Sequence, residues 1–61
     1  MKRKDLIRHI ESHGCVFVRE GSKHTLYKNP ASGAFSSVAR HHEVKENLAR
    51  KICDDLGVPR P

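Results

Sequence analysis

Hydrophobic positions along the chain switch from helical spacing to alternation and back again. Between Lys4 and His13, Leu6, Ile7 and Ile10 recur at the period of an amphipathic helix, and Gly14 stands where a left-handed residue closes one. Val16, Phe17 and Val18, β-branched or aromatic, predict a strand over Cys15–Arg19, and Glu20-Gly21-Ser22 supplies turn chemistry. Lys23–Lys28 alternates loosely around Thr25, Leu26 and Tyr27 and predicts a second strand. Asn29-Pro30-Ala31-Ser32-Gly33 then cannot extend the ladder, because proline has no amide donor. Ala34–Ala39, with Phe35 and Val38, reads as a third short strand, weakened by Ser36 and Ser37. Loops this short between strands predict antiparallel pairing.

In the last long segment Val44, Leu48, Ile52 and Leu56 fall four residues apart, with Ala49 and Cys53 filling the same stripe. Gly57 ends this helix, Val58 can fold back against its last turn, and Pro59 prevents continuation. Its start is open: Asn47 is a good N-cap residue, yet Glu43 to Glu46 could already be helical. The predicted order is α-β-β-β-α. The expected fold class is α+β, two-layer, with a three-stranded antiparallel sheet and both helices on one of its faces. Residues 1–61 are expected to form one domain, without repeats, linkers or low-complexity stretches.

Composition bounds what such a fold can do. With 61 residues, 36% hydrophobic, no Trp and only Phe17, Tyr27 and Phe35 as aromatic rings, the core must be thin. A chain of this length buries roughly 60% of its unfolded surface, which argues against a large internal pocket. The longest apolar run, Cys15 to Val18, is far below the roughly 20 residues that span a bilayer, so neither a membrane helix nor a signal peptide is expected and the protein reads as cytoplasmic. Cys15 and Cys53 are read as reduced thiols. Their spacing excludes a CxxC zinc or redox site, and no metal or other cofactor is expected, with a mixed Cys and His site as the alternative.

Twelve Lys and Arg against seven Asp and Glu give a net charge of +5, which on so small a body forms at least one positive surface. Such surfaces either keep a protein soluble or bind polyanions. The five histidines differ in context. His9 and His13 share a helix face, but the run His9-Ile10-Glu11-Ser12-His13 has its Glu in the wrong place for a zinc-protease motif. His41 and His42 sit between the third strand and the second helix, either solvated or in contact with phosphate. His24 opens the second strand just after a glycine turn that lets backbone amides approach an anion. In Gly21-Ser22-Lys23-His24, Ser22 and Lys23 could hold a phosphate while His24 moves a proton, as RNA cleavage requires. The bland reading is an ordinary hairpin with a partly exposed His.

Three segments taken together resemble the HicA-type toxins, the small mRNA-cleaving members of the HicAB toxin-antitoxin family. They are the first helix ending at Gly14, the run Val16-Phe17-Val18-Arg19-Glu20-Gly21-Ser22-Lys23-His24, and the final Glu43 to Leu48 through Ile52 to Leu56-Gly57-Val58. The resemblance covers nearly the whole chain. It implies a fold like a double-stranded-RNA-binding domain, and a catalytic His in a Gly-Ser-His-like motif on the second strand, which maps to His24. Here Lys23 is interposed between Ser22 and His24, and Arg40-His41 matches a basic-His pair leading into the last helix. The Lys-rich helix start that many double-stranded-RNA-binding domains use is absent, so duplex RNA is not the expected substrate.

What the resemblance implies is the toxin of a type II toxin-antitoxin system, a metal-independent endoribonuclease of the mRNA interferase kind, acting in stress response. Its expected partners are single-stranded mRNA and a HicB-like antitoxin that occludes His24. Ser22, Lys23, Lys28, Arg40 and His41 are the expected RNA-binding residues. On a regular second strand Lys28, four positions from His24, shares its face, whereas Lys23 reaches the site from the turn. Two alternatives remain: a non-catalytic RNA-binding module of the same fold, and an adaptor whose basic face binds an acidic protein.

Overall fold

The computed structural model describes residues 1–61, in the order α1 (Arg3–Ser12), β1 (Val16–Glu20), β2 (His24–Asn29), β3 (Ala34–Ala39) and α2 (Glu46–Leu56). The strands form one antiparallel sheet ordered β1-β2-β3, so β2 is bonded on both sides and the other two are edges. This is the α-β-β-β-α arrangement that the hydrophobic pattern predicts, consistent with the topology of a double-stranded-RNA-binding domain. Element ends differ from the predicted ones by one or two residues. Cys15 and Lys23 fall outside the strands, while Glu20 and Asn29 fall inside them.

Side-chain alternation along β2 divides the molecule. Thr25, Tyr27 and Asn29 are buried and face the helices, where each is bonded to one. The Thr25 hydroxyl accepts from Arg3 of α1 at 2.8 Å, Tyr27 Oη donates to Glu11 of α1 at 3.5 Å, and Asn29 Nδ2 donates to the Leu56 carbonyl of α2 at 2.7 Å. His24, Leu26 and Lys28 therefore point to the opposite, open face. The core lies in the helix layer around Leu6, Ile10, Tyr27, Val38, Ala49, Ile52 and Leu56. Cys15 and Cys53 join it as free thiols, and burial pushes both thiols up from the ordinary cysteine range.

Both helices end as their glycines require. Gly14 and Gly57 adopt φ of +93° and +72°, a region other residues enter only with strain, and the amides of Cys15 and Val58 turn back to the carbonyls of Ile10 and Cys53. Their starts are tied together. Lys2 and Glu43 form an isolated antiparallel bridge, with the Arg3 amide donating to the His42 carbonyl at 2.9 Å. Of the two starts the sequence left open, the N-cap at Asn47 is not used, and of Glu43 to Glu46 only the last residue is helical. The helix begins at Glu46 after Lys45, and Asn47 lies inside its first turn, with its Oδ1 accepting only from the amide of Leu48.

One predicted burial is corrected, and three large apolar residues of β1 prove exposed. The stripe that packs on the sheet is Ala49, Ile52, Cys53 and Leu56, with Val44 buried ahead of the helix, while Leu48 remains 39% exposed. A spacing of four drifts around a helix of 3.6 residues per turn, so Leu48 rolls to the flank. Val16, Phe17 and Val18 are also exposed, because β1 is an edge strand beyond the cover of the helices. Val18 is the extra residue of a β-bulge between Phe17 and Arg19. The bulge reverses the alternation after it. Arg19, opposite Leu26, joins the open face, and Glu20, opposite Thr25, joins the helix face.

Asn29 is the polar linchpin of the helix layer. Besides bonding the Leu56 carbonyl, its Oδ1 accepts from the Ala31 amide at 3.1 Å and so closes the β2–β3 turn. Asn29→Ala orphans a buried carbonyl at the end of α2, at a cost of about 1–3 kcal/mol. Thermal unfolding followed by circular dichroism should show a midpoint lowered by roughly 4–8 °C per kcal/mol for a domain of this size. An unchanged midpoint would show that the bond contributes nothing net.

Candidate active site

The β1–β2 turn and the exit from β3 converge on one spot. The Arg40 amide donates to the Lys23 carbonyl at 3.3 Å, while Arg40 Nη1 reaches the Gly21 carbonyl at 3.4 Å and the Glu20 carboxylate at 3.1 Å. Between the two segments lies an open cleft of about 300 Å³ lined by Ser22, Lys23, His24, Arg40 and His41. No carboxylate lines it, and every side chain is polar or basic. Five of the six residues singled out in the sequence thus come together here. The sixth, Lys28, does not. It lies on the same face as His24 but four residues along β2, about 13 Å away at the rise of an extended strand.

The turn itself is built differently from the sequence reading. The Gly21 amide is not free to meet an anion, because it donates to the His24 carbonyl at 2.7 Å. What glycine supplies is close approach: a Cβ at this position would lie 3.0 Å from that same backbone oxygen. The backbone of the turn is therefore closed between Gly21 and His24. Ser22, Lys23, His24, Arg40 and His41 line the cleft and are the residues placed to meet a ligand, and the Ser22 and Lys23 amides make no backbone bond of their own.

A chain of polar contacts anchors this arrangement to α1. Arg3 donates from Nε to the Ala39 carbonyl at 3.0 Å and from its guanidinium to the Thr25 hydroxyl; Thr25 donates in turn to Glu20, and Glu20 pairs with Arg40. Arg3, Thr25 and Glu20 were missed by sequence reasoning. Arg3 sits in the Lys2-Arg3-Lys4 run, which reads as solvated charge, and Glu20 reads as a turn residue because nothing in the sequence marks the bulge at Val18 that swings it inward. Arg40 engages Glu20 and the Gly21 carbonyl through Nη1, and a guanidinium has five N–H donors, so others keep no protein partner.

The remaining histidines lie apart from this spot. The rings of His9 and His13 meet edge-on at 4.8 Å, with His9 Nε2 2.7 Å from the Pro59 carbonyl. No three His, Cys, Asp or Glu side chains gather as a metal site would require. No helix is long and apolar enough to cross a membrane.

Comparison with known proteins agrees with the sequence resemblance. Neither a curated protein nor a solved structure matches the chain. The family model of the HicA toxin of bacterial toxin-antitoxin systems matches residues 3–58, a span that takes in both helices, all three strands and the whole of the cleft. On that match the chain belongs to the HicA toxin family, whose members are paired with an antitoxin.

Proposed function

We propose that this HicA-family chain is a metal-independent endoribonuclease that cleaves single-stranded mRNA at the cleft beside β2, with His24 as a proton-transfer group. The observation that carries the reading is the convergence of His24 with Ser22, Lys23, Arg40 and His41 around one open, basic cleft. RNA supplies its own nucleophile. The 2′-hydroxyl attacks the adjacent phosphorus, the bond to the 5′-oxygen breaks, and the products carry a 2′,3′-cyclic phosphate and a 5′-hydroxyl. No activated water is needed, only a base for the 2′ proton, an acid for the 5′-oxygen and positive charge around the phosphorane.

His24 serves one of those transfers. His41, whose ring lines the same cleft, is our candidate for the other, with Lys23 and water as the remaining possibilities. Lys23 and Arg40 supply charge to the non-bridging oxygens, and Ser22 donates a hydroxyl to them. A HicB-like antitoxin would silence the activity by covering this cleft. Its openness favours that mode, since nothing in the chain itself shields His24, which is exposed.

His24→Ala should lower cleavage by at least about 100-fold, the usual worth of a positioned acid or base, with an unchanged circular dichroism spectrum because the side chain is exposed. His24→Gln, which keeps a hydrogen-bonding group but cannot shuttle a proton, should fail equally. Cleavage at the parental rate in either variant would leave a non-catalytic RNA-binding module as the reading. Excess chelator should not slow the parental protein, and DNA, lacking the 2′-hydroxyl, should stay intact.

Salt dependence separates binding from chemistry. Each lysine that neutralises a phosphate of a single strand contributes about 0.7 to the slope of log affinity against log salt. Lys28→Ala should lower both the affinity and that slope, while Lys23→Ala, at the cleft, should act mainly on the cleavage rate. Parental affinity and slope in both variants would move the substrate track to Arg40 and His41, at the entry to α2.

A further inference from the structure

The open face of the sheet carries more than charge. Phe35 of β3, paired in register with Lys28, is 52% exposed, and the Lys28 ammonium lies 5.6 Å above the centroid of its ring. Beside it, a groove of about 390 Å³ runs along β3 beneath the flank of α2, lined by Leu26, Phe35 and Ser37 from the sheet and by Leu48, Lys51 and Asp55 from the helix. Phe35 and Leu48 are the large apolar side chains that its walls leave exposed, and Leu48 is exposed only because α2 buries the neighbouring stripe instead. The single carboxylate here is neutralised, since Asp55 pairs with Lys51 at 3.1 Å. Arg19, brought to this face by the β1 bulge, stands opposite Leu26.

We infer that this groove is a nucleobase subsite, in which a base of single-stranded RNA stacks on Phe35 while Lys28 meets a flanking phosphate. The inference rests on RNA being the ligand of the His24 cleft and extends that site along the sheet. Three observations favour RNA over an acidic protein. The surface is continuous with the cleft through His24, Leu26 and Lys28, which occupy alternate positions of one face. Its aromatic ring already holds a cation at its face, so a base replacing the ammonium there releases Lys28 to a phosphate beside it. The combination of one exposed aromatic ring with Lys28 beside it and Arg19 on the same face is the composition of a single-strand stacking platform. At about 13 Å from His24 along the strand, the bound base lies outside the scissile dinucleotide and acts as an anchor.

The test uses a single-stranded 2′-O-methyl RNA of mixed sequence, which cannot be cut through a 2′-hydroxyl whatever the role of His24. Phe35→Ala should weaken its binding by roughly 5- to 150-fold, the range expected for losing one base-aromatic stack. Phe35→Leu, which keeps apolar bulk but removes the π-face, should bind as weakly as Phe35→Ala. Phe35→Trp should retain affinity and, as the only tryptophan in the chain, show quenched emission on titration with the RNA. Matching thermal melts for the four proteins establish that folding is unchanged, as expected at a half-exposed position.

Parental affinity in Phe35→Ala would overturn the subsite, as would parental affinity in Phe35→Leu. Unchanged RNA binding together with lost binding to a HicB-like antitoxin would overturn it in favour of a protein-docking face. The cleavage reading fails separately. Weakened binding in Phe35→Ala alongside undiminished cleavage by His24→Ala keeps the subsite and removes the proton-transfer role. Abolished cleavage in His24→Ala with parental RNA affinity in Phe35→Ala does the reverse.

Discussion

Everything in this molecule depends on the pairing of β2 along both of its edges. A strand bonded on two sides cannot rotate, and its alternation then assigns each residue to one face with no freedom left. Thr25, Tyr27 and Asn29 are committed to the helices and carry the polar bonds that orient them. His24, Leu26 and Lys28 are committed to the other side, where no element covers them. A slip of one residue would bury His24 and Lys28 and expose Tyr27, which is why the scaffold and the proposed RNA face stand or fall together.

The helix layer would not hold the cleft by hydrophobic packing alone, because the cleft lies at the end of the sheet, beyond the core. Continuity is provided by the chain from Arg3 through Thr25 and Glu20 to Arg40. Its inner members are partly shielded from water, where hydrogen bonds to charged groups are worth more than at the surface. Its outer pair, Arg40 with Glu20, is about half exposed on each side, so its net energy is small. The value of that pair is geometric: it holds the guanidinium against the turn that leads to His24. No buried side-chain polar atom lacks a partner, so this network adds order without leaving an unpaired group behind.

The elements were legible in the sequence because each has a local cause. Gly14 and Gly57 mark helix ends through a backbone conformation that only glycine enters freely, and Pro30 with Gly33 breaks the ladder between β2 and β3. His24 and its neighbours in the turn were legible for the same reason, being adjacent in sequence. Arg40 and His41 are distant from them, and the sequence suggested them through family resemblance, whereas their meeting with the turn is a product of antiparallel registry. The bulge at Val18, the exposure of Leu48 and the double duty of Asn29 had no local signal. Each follows from how two elements meet, which neither element's own periodicity encodes.

A chain this small cannot enclose its substrate, and that limits the chemistry it can perform. The slab measures 27 × 25 × 16 Å, and its core occupies one side of the sheet, so the proposed reaction takes place at an open surface. Catalysis there cannot draw on the strengthening of electrostatics that a closed, dry site provides. It must rely on positioning, on fixed charge and on a substrate that brings its own nucleophile. Positioning an extended, flexible strand from a single contact is ineffective, because one phosphate bound by one cation leaves the backbone free to pivot. A second anchor on the same rigid sheet, at Lys28 of β2 and its cross-strand partner Phe35 of β3, would fix direction as well as location. An antiparallel sheet can leave one face to water, and here that bare face is the surface the proposed ribonuclease would use to hold its substrate.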